Sequence, residues 1–448
     1  MNNNIPSVST FCKAIILFTC FIFLQSHSLK AQVINVKKMG AKGDGVTDDY
    51  AALKQVADKI NQAGGGEIFF PKGNYYIAQY HMQDNKVEDI VFKSCNGITI
   101  KGSEAIISLN GNFRRMGDIQ KKYSYSSFGT VIPFSFNNCS NIEIDNLEVN
   151  GNVNMMTRDE DVKESGGFLL HFISCRNVTL KDLFVHHAQT DGIYINGDCF
   201  NFTATNIISS NNARQGMSII RLDTATFSNC TFKNTGFTGG DYGFHAPGAG
   251  VDIEPTATKS GVHNIRFIGC NFESNYGSQL VIGKPTLTTN VNISGCTFHA
   301  GISKSTHAIV LAAKDVVMEN NDIDCGNSNI FPVWNALPGS KVIIRNNRIK
   351  SSASGIMANT KDTTNDVLIE NNTIEYTGTS TIRSYFPYIQ ANISFNNNKI
   401  IIPEQYQKPQ GVSSLIQNAK VSKGNEFFSN GKKVKPRISY LGTSVIGD

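Results

Sequence analysis

Between Gly248 and Lys259 the chain reads Gly-Ala-Gly-Val-Asp-Ile-Glu-Pro-Thr-Ala-Thr-Lys. In an extended segment successive side chains face opposite ways, so Val251 and Ile253 turn toward a core while Asp252 and Glu254 project together from the other face. Their Cα atoms then stand roughly 7 Å apart, at about 3.3 Å of rise per residue. Two carboxyls at that separation suit a general acid and a general base working on either side of a scissile bond. Other reactive or charged side chains recur near matching apolar stretches: His171, Asp191, Tyr194, Arg214 and Gln215 before this segment, and Arg221, Lys259 and Lys284 around and after it.

The elements that must position these groups are repeats. Aligning Cys230-Thr-Phe, Cys270-Asn-Phe, Cys296-Thr-Phe, Asn321-Asp-Ile, Asn347-Arg-Ile, Asn372-Thr-Ile and Asn398-Lys-Ile gives spacings of 40, 26, 25, 26, 25 and 26 residues. Short alternating runs such as Val291-Asn-Ile and Val342-Ile-Ile lie between Asn, Gly and Ser turns. A period of that size predicts one structural coil per repeat, with parallel strands of successive coils stacked about 4.8 Å apart. The predicted fold is all-β, a parallel β-helix solenoid over residues 91–402. It follows an N-terminal cap segment (32–90) and precedes a C-terminal cap (403–448) that covers the open edge of the last coil.

Stacking the coils by their Gly-apolar-x-apolar strands sets Gly167-Phe-Leu-Leu-His171, Gly192-Ile-Tyr-Ile-Asn196, Gly216-Met-Ser-Ile-Ile220 and Gly250-Val-Asp-Ile-Glu254 side by side. The outward rows expected from this are Leu169, Tyr194, Ser218, Asp252 and His171, Asn196, Ile220, Glu254. Two insertions flank the face. The residues from Gly236 to Gly250 carry Asp241, Tyr242 and His245, and a long loop runs from Asn152 to Ser165. Loops of this length on one flank of a solenoid wall a groove, and a groove suits a polymer.

Cysteines follow the same ladder, in a slot that asparagine fills in later coils, so they read as reduced packing residues and not as half-bridges. Formal net charge is +5 with 17% charged residues, and no Lys/Arg block marks a nucleic-acid footprint. Residues 1–31 have the make-up of an export signal: Lys13, the apolar run from Ala14 to Leu24, and a polar stretch ending Leu-Lys-Ala31. The run is short for a bilayer span, so a secreted or periplasmic monomer without a membrane span is expected.

Three stretches resemble known families. Gly43-Asp-Gly-Val-Thr-Asp-Asp49, leading into a helical pattern with Leu53, Val56, Ala57 and Ile60 on one face and ending at Gly64-Gly-Gly, resembles the N-terminal segment of the pectate-lyase-like right-handed β-helix proteins. Thr190-Asp-Gly-Ile193 and Gln215-Gly-Met-Ser-Ile219 are similar to fragments of the polygalacturonase signature, which would carry Asp191 over as a catalytic acid. Gln215 stands where that family has histidine. Asp252-x-Glu254 followed by Lys259 is similar to the chondroitinase B and alginate-lyase family. That resemblance implies Ca²⁺ on Asp252 and Glu254, Lys259 as the base and Lys284 near the family's arginine.

These groups fit two chemistries. β-Elimination from a uronate needs its carboxylate neutralised, by a hard cation or by Arg214 or Arg221, and a base at Lys259, with His171 and Tyr194 as further acid/base candidates. Inverting hydrolysis needs only Asp252 and Glu254. Asp191, His245 and Lys284 would contact an acidic polysaccharide. A non-catalytic glycan-binding solenoid is the third class; it calls for aromatic platforms, and the single Trp334 lies two to three coils away.

Overall fold

The computed structural model describes residues 33–78, 82–83, 86–110, 131–155, 167–236, 246–256, 260–332, 338–359, 364–378, 386–390, 393–402, 413–417, 421–435 and 437–438. The expected export signal, Asp241, Tyr242, His245, Lys259 and Trp334 lie outside them.

Helix α1 (Tyr50–Ala63) buries Tyr50, Leu53, Val56, Ala57 and Ile60, the face that the spacing predicts. At its start Tyr50 N–H donates to Asp48 Oδ1 (3.1 Å), while the Asp49 carboxylate ties down the preceding loop, accepting from the backbone N–H groups of Lys42 (2.6 Å) and Gly43 (3.0 Å). Gly64 ends the helix with φ of 74°, a left-handed conformation glycine adopts without steric cost.

Beyond the helix the chain winds into stacked coils. One face is a nine-stranded parallel sheet, here β1 (Val91–Lys93), β2 (Phe134–Asn137), β3 (Leu170–Ile173), β4 (Asp191–Asn196), β5 (Gln215–Ile219), β6 (Val251–Ile253), β7 (Leu280–Ile282), β8 (His307–Leu311) and β9 (Asn329–Pro332). Strands of the other faces join in one continuous sheet. The architecture is a right-handed parallel β-helix.

What holds the coils in register is repetition of identical side chains at identical places. Inside, Phe92, Phe136 and Phe172 stack face to face at 5.0 and 5.2 Å, and Phe272 stacks on Phe298 at 4.6 Å. Each buried phenylalanine contributes about 2–3 kcal/mol by burial, and each stacked pair about 0.5–1.5 kcal/mol more. The repeated slot is a hydrogen-bond ladder. Cys296 N–H donates to Asn321 Oδ1 (2.7 Å), and Asn321, Asn347 and Asn372 pass the same bond on at 3.0, 2.9 and 3.0 Å. Sulfur does the same work in earlier coils, where Cys270 N–H reaches Cys296 Sγ at 3.3 Å. All eight cysteines of the described residues are buried and free.

The ladder continues past residue 402. Asn398 N–H donates to Asn425 Oδ1 (2.9 Å), and Val421–Lys423 and Glu426–Ser429 pair in parallel with the coil before. The segment expected to be a cap therefore begins with one more coil. Lys432–Val434 then folds back antiparallel on Glu426–Ser429, and Arg437–Ile438 after it pairs in parallel with Ser413–Gln417. Among the described residues no helix is long and apolar enough to cross a membrane.

Candidate active site

The backbone register sets Ser135, His171, Tyr194, Ser218, Asp252 and Val281 in one row across β2 to β7. His171 therefore stands beside Tyr194, two residues away from the row expected for it with Asn196. Leu169, expected beside Tyr194, is buried instead. Counting from Gly167 misleads, because the glycine belongs to the connection before β3. The core sets the register: Phe136 and Phe172 each precede their ladder cysteine, Cys139 and Cys175, by three residues. Asn196, Ile220 and Glu254 keep the expected alignment, following Ile195, Ile219 and Ile253.

At Ser218 and Asp252 this row joins a buried polar network, while His171, Tyr194 and Val281 are half-buried. Asp252 is 4% exposed, and Asp191, Gln215 and Ser218 are equally enclosed. Asp191, at the start of β4, forms a two-pronged ion pair with Arg214, Nε to Oδ1 at 2.7 Å and Nη2 to Oδ2 at 2.6 Å. Ser218 Oγ donates to the same Oδ2 at 2.8 Å and also contacts Gln215 Oε1. Gln215 turns its amide outward, Nε2 donating to Asp252 Oδ2 at 2.5 Å. One chain of polar contacts thus runs from Arg214 through Asp191, Ser218 and Gln215 to Asp252, across three coils.

That environment is asymmetric at Asp252. Burial, then the nearby negative charges of Glu254 and Asp191, push its carboxyl up to about 7, against smaller opposing effects of Arg214 and Gln215. Its Oδ1 is buried without a hydrogen-bond partner. Two residues on, the Glu254 side chain is 55% exposed, with Lys284 Nζ 4.0 Å from Oε1. So one carboxyl keeps its proton up to about pH 7, and the other stands in water beside a cation.

An aromatic corner adjoins the row. Phe168 lies flat over Tyr194 with ring centres 4.1 Å apart, and His171 meets Tyr194 edge-on at 5.4 Å. Burial lowers His171 to about 4, so its imidazole is neutral, and Nε2 has no partner. Burial, helped by the Asp191 charge, raises Tyr194. Both polar atoms of the Gln189 side chain, Thr190 Oγ1 and Arg221 Nε are likewise buried without hydrogen bonds. Buried polar atoms are normally paired, with protein groups or with ordered water.

Arg221 leaves the end of β5 and lies 3.6 Å from Asp198 and 3.4 Å from Ser260 Oγ, apart from the Asp191–Arg214 pair. Of the expected calcium ligands, Asp252 already gives one oxygen to Gln215, and Glu254 faces Lys284. Among the described residues no group of three or more His, Cys, Asp or Glu side chains could hold a metal ion. Calcium takes six to eight oxygens, of which these two carboxylates would supply only a part. Sequence reasoning gave no role to Phe168, Gln189 or Thr190, and gave Gln215 none toward Asp252. A neighbouring-strand glutamine at the position facing an acid was the signal available.

Residues 33–239, a little under half of the chain, match the family model described as rhamnogalacturonase A/epimerase, pectate lyase-like. Over those residues the chain is similar to that pectate-lyase-like family. An exopolygalacturonase of Arabidopsis thaliana is 27% identical over 193 residues, covering 36% of this chain and 39% of that protein. Alginate lyase 7 of Azotobacter vinelandii is 24% identical over 238 residues, covering 49% and 24%. The chain thus spans less than half the length of these curated relatives. The crystal structure of PfbA, a surface adhesin of Streptococcus pneumoniae, superposes with a TM-score of 0.55 at 16% identity, covering 93% of this chain and 96% of that one. A hydrolase, a lyase and an adhesin on related scaffolds leave the choice of chemistry to the site.

Proposed function

We propose that the protein is an exported enzyme that hydrolyses a glycosidic bond in an acidic, uronate-containing polysaccharide, with Asp252 as the general acid and Glu254 as the general base. The observation that carries this reading is the divergence of two carboxyls on one strand: Asp252 protonated near neutrality, Glu254 in water beside Lys284. Environments that set two carboxyls apart in this way mark acid and base.

Asp252 passes its proton to the glycosidic oxygen as the C–O bond breaks. Glu254 takes a proton from a water that attacks the anomeric carbon from the opposite side. The spacing of alternate strand residues, roughly 7 Å, falls within the 6.5–9.5 Å range that leaves room for that water and inverts the anomeric centre. Gln215 holds Oδ2 of Asp252, and Oδ1, which has no hydrogen-bond partner, is the oxygen assigned to carry the transferred proton. Lys284 and Arg221 supply positive charge for a uronate carboxylate.

β-Elimination is the second reading, favoured by His171. A neutral imidazole with an unpartnered Nε2 beside Tyr194 can remove the C5 proton of a uronate, while protonated Asp252 neutralises developing charge. Lys259, the base that the lyase resemblance implies, lies outside the described residues. Product analysis on uronate polymers tests the assignment. A saturated product of inverted anomeric configuration by NMR supports hydrolysis, an unsaturated uronate product replaces it with elimination, and binding without cleavage places the protein with the non-catalytic solenoids.

A further inference from the structure

A second groove lies on a different sheet from Asp252. Ile106, Glu148, Phe184 and Ile208 stand side by side in register on four neighbouring strands and floor a concavity of ≈ 580 Å³. Three steps of about 4.8 Å give the row a length of roughly 14 Å, enough for a short run of pyranose rings. Ile208 is 39% exposed there.

Two of the four side chains are fixed by one buried residue. The His186 ring, its side chain 7% exposed, stacks on Phe184 with centres 4.0 Å apart and planes 19° from parallel. Its Nε2 bonds Glu148 Oε1 at 3.2 Å, and its Nδ1 bonds His187 Nδ1 at 2.6 Å. With both ring nitrogens engaged, His186 cannot turn. Phe184 and Glu148 are therefore held at set positions in an open groove, where side chains on a plain surface would keep their rotamer freedom. An aromatic face next to an oriented carboxylate is what a sugar ring needs: the ring's C–H face packs on the aromatic, and a hydroxyl or amine donates to the carboxylate.

Charge selects the kind of sugar. Lys72 is tied to Glu104 at 2.5 Å and Asp182 lies 3.4 Å from Lys181, leaving Glu148, among the described residues, as the acid of the lining without a lysine or arginine partner. A uronate would be repelled here. We propose that this groove is a second, non-catalytic glycan site for an uncharged or amino-sugar segment, built by His186 clamping Phe184 and Glu148 into a shared concavity. It takes its ligand class from the polysaccharide reading but does not depend on the chemistry at Asp252.

The test uses the full-length Asp252→Asn protein, titrated against a panel of immobilised neutral, amino-sugar and uronate polysaccharides. Retention on at least one neutral or amino-sugar polymer is expected, weakened about tenfold by Phe184→Ala. Because Phe184 is half-buried, Ile208→Lys at the exposed end of the row is measured beside it. It should weaken the same binding with an unchanged melting temperature. Retention only on uronate polymers, no retention at all, or retention that neither variant alters overturns the proposal. In protein with Asp252 intact, both variants should cleave a short soluble substrate at the normal rate. If Asp252→Asn itself still cleaves, the assigned chemistry falls while the groove is judged on binding alone.

Discussion

Gln215 and Asp252 face each other across neighbouring coils, amide Nε2 to carboxyl Oδ2 at 2.5 Å. The contact engages one oxygen of a buried acid and leaves the other without a partner. An amide donor stabilises a carboxylate less than a cation would, so burial prevails and the proton stays on. Asp252→Asn should therefore separate stability from activity. Turnover is expected to fall on the order of 10² or more, the scale of losing an acid/base group. Urea unfolding at pH 8 should show the variant at least as stable as the parent, because no buried charge must form. A variant with full turnover would remove Asp252 from the mechanism.

The pH dependence follows with a definite sign. Because Asp252 is raised in the fold to about 7 from 3.8, the folded protein holds a proton that the unfolded chain has lost, and stability falls as pH rises between these values. The contribution is fully present below about 4 and gone above about 7, worth roughly 4 kcal/mol at most. Cleavage should decline over the same upper limb as the acid loses its proton. His171 acts oppositely: lowered to about 4, it favours folding above its ordinary 6.5 and withdraws that support as pH drops toward 4. Melting curves from pH 4 to 9 on the parent and on Asp252→Asn should differ in the limb between 4 and 7.

Arg214 and Asp191 form the most enclosed ion pair on the face. Arg214→Ala leaves the Asp191 carboxylate buried beside Ser218 without its cation. A loss of about 3–5 kcal/mol is expected, much of it recovered when Asp191→Asn is added. A double-mutant cycle by chemical denaturation measures it. Single and double variants of equal stability would show the pair to be solvated in practice.

The fold was legible because a solenoid writes its structure into a period. Cys270, Cys296, Asn321 and Asn347 occupy equivalent slots, and the spacing between them is the length of a coil. The helix was legible for a local reason, since Leu53, Val56, Ala57 and Ile60 recur at helical spacing and are the side chains it buries. The site was less so. Pairing of Asp252 with Glu254 follows from strand alternation, but their opposite environments do not: one is buried against the neighbouring coil and the other meets water. The position of His171 depends on the stacking of Phe136 on Phe172, a contact between residues 36 apart that the nearby glycine pattern hides. The Arg214–Asp191–Ser218–Gln215 chain joins three coils, and no local motif encodes it.

The asparagine ladder yields the sharpest structural test. Asn321 donates both its backbone N–H (3.0 Å) and its side-chain Nδ2 (2.8 Å) to Asn347 Oδ1, and Asn347 Nδ2 donates to Met318 O and to Asn372 Oδ1, each at 3.0 Å. Asn347→Ala removes the acceptor of two buried donors, and each orphaned group costs about 1–3 kcal/mol, so a loss of roughly 2–5 kcal/mol is expected. Asn347→Cys should cost clearly less, because a thiol sulfur fills the same slot two coils earlier and accepts the Cys270 N–H. Coupling between coils runs mainly to nearest neighbours. Hydrogen exchange should therefore quicken around Asn321 and Asn372 in the alanine variant, while strand β6, which carries Asp252, keeps its protection. Equal destabilisation by alanine and cysteine would show that the slot is held by volume and not by the ladder of hydrogen bonds.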